Sequence, residues 1–377
     1  MPATISDIIN LIEFIAPSFL AEEWDNVGLQ VGQKDWPVRT IQVALDPLPD
    51  VVFAACSEGV DLLITHHPLI FHSLKSIDVS TSVGSIISMA IRHRMAIFAA
   101  HTNLDKVDDG VNDVLVRKIG LKNLKALIKD RESEAYKLVV YAPVEYELKV
   151  LDALLEAGAG KIGDYTCCSF RNDGKGTFMP GSSAKPFVGE LNDISHIDEV
   201  RIETVVQKND LKRIIEDVKK SHPYETMAYD VYQLLPYGNV PNDKIQGLGR
   251  IGELENTIGL ASFALEIKKS LGIKTVKVAG KPDMPVKKVA VCAGSGSSLM
   301  DNFFSSGAQV YISGDLRYHD ARAAEAARVG LIDIGHFVSE HLIVENLAQR
   351  LKALLVKTGI DIEVKACGLE TDPFFIL

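Results

Sequence analysis

The sequence predicts an α/β fold: a split α/β domain with a mostly parallel sheet, carrying an inserted ferredoxin-like α+β domain. Three observations predict it. Short apolar β runs alternate with amphipathic helical stretches near both ends of the chain, the pattern of βαβ units. Between about residues 130 and 240 the order changes to β-α-β-β-α-β, which is the ferredoxin-like arrangement. Histidine and carboxylate motifs recur directly after the predicted strands, at the edge where open parallel sheets bind ligands.

Ile5, Ile8, Ile9 and Ile12 recur at helical spacing and predict a helix over 5–15. An irregular polar stretch with Trp24-Asp25-Asn26-Val27-Gly28 follows. Strands are expected at 40–45, 60–65 and 95–100, and helices at 48–58, 81–94 and 110–119. In the middle region a β run at 137–141 ends at Pro143, and a helix over 146–157 closes on Gly158-Ala159-Gly160. Two or three strands across 165–206, a helix at 209–220 and a strand at 229–234 complete it. Pro236 to Asp243 is rich in Pro, Gly and Asn and predicts a linker. Alternation then resumes, with helices at 257–270, 297–306, 319–328 and 339–357 and strands at 287–292, 308–312 and 330–334. The expected domains are 1–130 and 245–377, the two halves of one α/β domain, and 133–237, the insert.

Composition narrows the function. A chain of 377 residues, 47% apolar and 24% charged, has ordinary globular composition and room for two or three domains. Its net charge of −10 and lack of a basic run argue against nucleic acid or anionic membrane as partners. The five cysteines are odd in number and form no CxxC pair, which argues against a disulfide framework or a cysteine zinc site. Thiols in a reducing compartment fit better. The N-terminus lacks a basic stretch before an apolar run, so no signal peptide is expected. No apolar run reaches the roughly 18 residues of a membrane helix. The expected location is the cytoplasm.

The chemistry lies at the strand ends. His66-His67-Pro68 follows the strand at 60–65, and His101 through Asp105 follows 95–100. His336 through Glu340 follows 330–334, Asp315 follows 308–312, and Asp46 follows 40–45. His101 and Asp105 are four apart, as are His336 and Glu340, so each pair shares a face if a helix starts there. Imidazole and carboxylate without thiolate suit zinc, iron or manganese. Four imidazoles and two carboxylates exceed what one tetrahedral ion with an open position takes. They suffice for two divalent metal ions per chain. A single histidine after a strand is more often a hydrogen-bonded structural residue. The His-His-Pro run and three histidine-bearing strand ends argue against that reading here. His72, His93 and His196 are read as structural. His319 could contact substrate or cap a helix, and His341 should point away. The loop Ala293-Gly294-Ser295-Gly296-Ser297-Ser298 is either a tight turn or an anion cradle; it lacks the Gly-Lys-Ser/Thr ending of a P-loop. Trp24-Asp25-Asn26 either caps a helix or closes the site.

Five segments together carry a family resemblance: Trp24-Asp25-Asn26-Val27-Gly28-Leu29, Thr65-His66-His67-Pro68-Leu69, His101-Thr102-Asn103-Leu104-Asp105, Ser313-Gly314-Asp315 and Gly335-His336-Phe337-Val338-Ser339-Glu340. In this order they resemble the Nif-three-like family, also known as GTP cyclohydrolase type 2 homologues. The resemblance implies a two-metal site on His66, His67, His101, Asp105, His336 and Glu340, the residues reached from spacing. Ala157 through Tyr165 and Ser221-His222-Pro223-Tyr224-Glu225-Thr226 resemble the insert of the longer bacterial members, which is similar to PII and CutA domains. The resemblance also implies a ring-like homohexamer. Two functions stay open: a two-metal hydrolase acting on a small, nucleotide-like substrate, or a metal-storing, metal-delivering or scaffold protein whose insert senses a small molecule. No catalytic residue beyond the metal ligands is assigned.

Overall fold

The computed structural model describes residues 3–129, 135–162, 165–234 and 246–376. The linker expected at 236–243 lies outside them. The chain divides into two compact units, one of residues 1–130 with 242–377 and one of residues 131–241.

The first unit begins with helix α1 (Ile5–Ile15), whose start is set by a reciprocal cap. The Thr4 hydroxyl accepts from Asp7 N while the Asp7 carboxylate accepts from Thr4 N. Ile5, Ile8, Ile12 and Ile15 form its buried stripe. Then come β1 (Gly28–Val31), β2 (Thr40–Ala44), α2 (Pro49–Ser57), β3 (Leu62–Thr65), α3 (Ser82–Arg92), β4 (Ala96–Ala99), α4 (Thr102–Lys106), α5 (Val111–Lys118) and β5 (Lys122–Lys129). All residues of β3 and β4 are buried, as strands covered on both faces require.

The second unit contains β6 (Ala135–Pro143), α6 (Glu147–Glu156), β7 (Ser169–Phe178), β8 (Ser195–Gln207), α7 (Lys208–Ser221) and β9 (Tyr229–Gln233). Its sheet runs β7-β8-β6-β9 and is antiparallel throughout. Leu138, Val140, Val150, Leu154, Ile202, Ile214 and Val218 pack between the sheet and its helices. The stretch expected to hold two or three strands holds two.

The first unit resumes with β10 (Gly247–Gly259), α8 (Leu260–Leu271), β11 (Lys277–Ala279), β12 (Pro285–Ser295), α9 (Met300–Ser305), β13 (Val310–Gly314), α10 (Tyr318–Ala327), β14 (Gly330–Asp333), α11 (His336–Glu340), α12 (Leu342–Thr358) and β15 (Glu363–Ala366). Its strands form two sheets, ordered β1-β4-β3-β2-β15 and β11-β14-β13-β12-β10-β5. In the first, β15, β2, β3 and β4 are parallel and only β1 is antiparallel. In the second, β12, β13 and β14 are parallel, while β11, β10 and β5 are antiparallel additions. The expectation of one mostly parallel sheet therefore describes the first sheet, and the second is mixed. The difference comes from β5 and β10. Both carry charges on half-exposed faces, so neither reads as a buried parallel strand. Each sheet also takes strands from both halves of the chain, which ties the halves together.

One buried ion pair reinforces that tie. Arg250 on β10 is fully buried. Its Nε and Nη2 donate to the two carboxylate oxygens of Asp113 on α5, both at 2.7 Å. Its remaining donors reach the carbonyls of Gly247, Gly249 and Val107. Beside Asp113, the Asn112 side chain donates to Asp105 O at 3.0 Å and accepts from Ala293 N at 2.9 Å. Among the described residues, no helix is long and apolar enough to cross a membrane.

Candidate metal centre

The six residues singled out by spacing converge in the first unit. His66 and His67 directly follow β3, and their N–H groups extend its ladder to Ala44 O and Leu45 O. His101 caps α4, one turn before Asp105. Gly335, at φ +86°, lets the chain turn from β14 into α11, which begins at His336 and ends at Glu340. The two four-residue spacings therefore lie on short helices, as expected.

Side-chain distances define the cluster. His66 Nε2 lies 3.8 Å from Asp105 Oδ1 and 3.8 Å from Glu340 Oε1. Glu340 Oε2 lies 3.1 Å from His67 Nε2 and 3.0 Å from His336 Nε2. Two overlapping groups could each hold a metal ion: His66, His67 and His101, and His67, His336 and Glu340. Asp105 reaches the cluster through His66 and belongs to neither group. His72, His93, His196, His319 and His341 are likewise outside both.

Every imidazole in the cluster is held by its other nitrogen. His66 Nδ1 donates to Ala100 O at 2.9 Å and His67 Nδ1 to Asp46 at 2.8 Å. His101 Nδ1 donates to Asp25 at 2.9 Å and His336 Nδ1 to Asp315 at 2.7 Å. A carbonyl or an ionised carboxylate can only accept, so the proton sits on Nδ1 and each neutral ring offers an Nε2 lone pair. This is how metal-binding histidines are typically oriented. Meanwhile His66 Nε2, Asp105 Oδ1 and Glu340 Oε2 are buried without a hydrogen-bond partner. Glu340 Oε2 is close to two rings, but with each Nδ1 protonated their Nε2 atoms carry no hydrogen to donate. Buried polar atoms left this way cost about 1–3 kcal/mol each. A cation among them would satisfy all three, so the residues present fit a metal.

Comparison with known proteins agrees with the motifs. Residues 3–373 match the profile of Duf34/NIF3 (NGG1p interacting factor 3). The chain belongs to the Duf34/NIF3 family. A Bacillus subtilis (strain 168) member named GTP cyclohydrolase 1 type 2 homolog is 40% identical over 370 residues, 98% of each chain. A Staphylococcus aureus (strain MSSA476) protein of the same name is 35% identical, covering 98% of this chain and 99% of its own. Of solved structures, the Bacillus cereus protein related to NIF3 superposes with a TM-score of 0.68 at 37% identity, covering 99% of both chains. Staphylococcus aureus protein SA1388 gives a TM-score of 0.70 at 33% identity, covering 100% of this chain and 99% of that one.

Electrostatics at this Duf34/NIF3 site favour positive charge. Burial opposes protonation of His67, yet Asp46 and Glu340 raise its pKa to about 10. Contact with Glu340 outweighs burial and raises His336 to about 9. His66 is raised too, because the charges of Asp105 and Glu340 outweigh its burial. Burial would raise Glu340, but three histidines hold its carboxyl well below the usual range. Asp105 is pushed up, by burial first and by Glu340 as well. Metal binds the neutral ring, so protons must leave His67 and His336 on uptake at neutral pH. Affinity should therefore rise with pH towards 9–10 and fall on acidification. Titrating zinc into chelator-stripped protein at pH 7.5, in buffers of differing ionisation enthalpy, should show about two or more protons released per chain. Release near zero would contradict this.

The Gly-rich loop supports the site at close range. Gly294 has φ +66°, and a Cβ placed there would stand 2.0 Å from Glu340 Oε1. Its N–H donates to Ser339 Oγ at 2.8 Å. Only glycine lets this backbone pass beneath Glu340. Gly294→Ala should fold but lose metal affinity, on the order of 10- to 100-fold, comparable to loss of an outer partner of a ligand. Wild-type affinity in a folded variant would show that the close approach is incidental.

Sequence reasoning noticed Asp46 and Asp315 at strand ends without seeing that they orient His67 and His336. It left Asp25 between two roles, and the structure places it on His101, with Oδ2 accepting from Thr102 N at 3.0 Å. Glu370 was missed. Its buried carboxylate accepts from Leu45 N at 2.9 and 3.0 Å and from Asp46 N at 2.7 Å, fixing the loop that holds His67. No spacing signal could have found a residue in the C-terminal coil.

Proposed function

We propose that this chain binds two divalent metal ions, zinc, iron or manganese, and is a metal-dependent hydrolase acting on a small substrate. The observation that carries the reading is the convergence of His66, His67 and His336 Nε2 on Glu340, with Asp105 beside His66, His101 grouped with His66 and His67, and every Nδ1 tied to an acceptor. In this reading His66, His101, Asp105 and Glu340 Oε1 hold one ion, and His67, His336 and Glu340 Oε2 hold the other. Glu340 would be shared between them, since its two oxygens face different histidines. When bound, such a pair supplies Lewis-acid activation of an oxygen nucleophile and stabilises developing negative charge. The chain's own part is orientation: Asp25, Asp46 and Asp315 keep each Nδ1 protonated and each Nε2 directed inward. A site with three protein donors would keep a position open for water or substrate.

The test is a panel of phosphoesters, cyclic nucleotides and heterocyclic amidines, assayed with chelator-stripped and reloaded protein. Metal-dependent turnover of one class is expected. Tight metal binding without turnover across the panel would favour storage or a scaffold role, and rapid metal release would favour delivery.

We further read residues 133–237 as a ferredoxin-like insert between the halves 1–130 and 245–377. Its strand order β7-β8-β6-β9 and its β-α-β-β-α-β sequence support this. With the family resemblance we infer a homohexamer. Light scattering should give the mass of six chains; a monomer at working concentration would overturn it.

A further inference from the structure

We infer that Trp24 and Phe71 form a stacking platform for a planar aromatic ring of the substrate, beside the metal centre. The inference rests on the proposed reading of that centre. Tryptophan is usually well buried in folded proteins, yet Trp24 is 59% exposed and Phe71 is 43% exposed. Their ring centroids are 5.8 Å apart, tilted by 53°. Both stand nearly edge-on to the His101 imidazole, at 6.2 and 6.4 Å. A ring stacked on either would therefore lie beside a proposed metal ligand.

The two aromatics are held in place by polar bonds, not by an apolar core. Asp25, next to Trp24, is fixed by His101 and Thr102. Asn26 Nδ2 donates to Ile70 O at 2.5 Å, the residue before Phe71. Ile70 N donates in turn to Gln30 Oε1 at 3.2 Å, and Gln30 Nε2 donates to Asn26 O at 2.9 Å. These bonds clamp the segment around Trp24 to the segment around Phe71 while leaving ring faces in solvent. Rigid, exposed aromatic faces beside a reactive centre suit a flat, unsaturated ligand, because stacking needs a π-face and no particular hydrogen-bonding edge.

Equilibrium dialysis of the full, metal-loaded chain tests this with adenosine and guanosine 5′-monophosphates against ribose 5-phosphate, which shares their sugar phosphate and lacks the ring. The nucleotides should bind saturably and more tightly than ribose 5-phosphate. Trp24→Ala and Phe71→Ala should each weaken them, on the order of 10- to 100-fold, and Trp24→Phe should restore most of the loss. Metal content should be unchanged in Phe71→Ala, because the phenyl ring offers no ligand atom and lies four residues beyond His67. Ring-selective binding that persists without metal-dependent turnover would uphold the platform and count against the hydrolase reading alone. No saturable nucleotide binding, equal binding of ribose 5-phosphate, or wild-type affinity in Phe71→Ala would overturn the inference. So would dissociation of the oligomer by these substitutions without ring binding, which would make the pair an interface between copies.

Discussion

On the proposed two-ion reading, replacing Glu340 by Ala should strip both ions from the chain, whereas replacing His336 by Ala should strip only one. Glu340 alone presents one oxygen to His66, at 3.8 Å, and the other to His67 and His336, at 3.1 and 3.0 Å. It is also the buried carboxylate whose burial is offset by three histidines. Without it, Asp105 beside His66 is the remaining carboxylate of the proposed ligand set, and no carboxylate of that set faces His67 and His336, so two cations would repel across a low-dielectric gap. The loss should exceed the roughly 10- to 100-fold that follows removal of an outer partner. Glu340→Gln keeps the shape and removes the charge, so it should behave like Glu340→Ala if charge decides. Competition against a chelator of known affinity, with metal counted on the washed protein, reads the effect. Retention of both ions in Glu340→Ala would remove the bridging role.

The second large effect is on stability. Arg250→Met should destabilise the first unit by about 3–5 kcal/mol, since it leaves the Asp113 carboxylate buried without its cation. Asp113→Leu should cost a similar amount for the converse reason. The double variant should recover much of either loss, because a buried pair replaced by apolar side chains is often close to neutral. Urea denaturation of all four proteins separates the cases. Additive losses would mean that the five donors of Arg250 matter mainly through the carbonyls of Gly247, Gly249 and Val107, not through Asp113. Because Asn112 next to Asp113 holds Asp105 O and Ala293 N, the single variants should also weaken metal binding.

The site was more legible than the sheets, for a physical reason. The strands β3 and β4 are short and wholly buried, so they appear as apolar runs, and the residues that follow them stand out by their polarity. The spacing of His101 to Asp105 and of His336 to Glu340 carried information because α4 and α11 start at those points. By contrast, β5, at the sheet edge, and β10, between β5 and β12, interleave charged residues with apolar ones. Neither was expected, and with them went the second sheet's mixed character. Orientation of the histidines was hidden as well. An aspartate after a strand can cap a helix as readily as it can hold an imidazole, and Glu370 meets Leu45 across 325 residues of sequence. Sequence also supplies only the ordinary histidine value near 6.5. The raised values at His67 and His336 come from Glu340 on α11 together with Asp46 and Asp315, aspartates that folding brings in from the ends of other strands.

The central claim is that this cluster is a two-ion centre, and the metal content of the washed full-length protein tests it most directly. Protein purified without chelator, or reloaded with zinc, iron or manganese and passed over a desalting column, should carry close to two ions per chain. His66→Ala with His67→Ala should carry at most one. A wild-type ratio near zero after reloading, or an unchanged ratio in the double variant, would contradict the account.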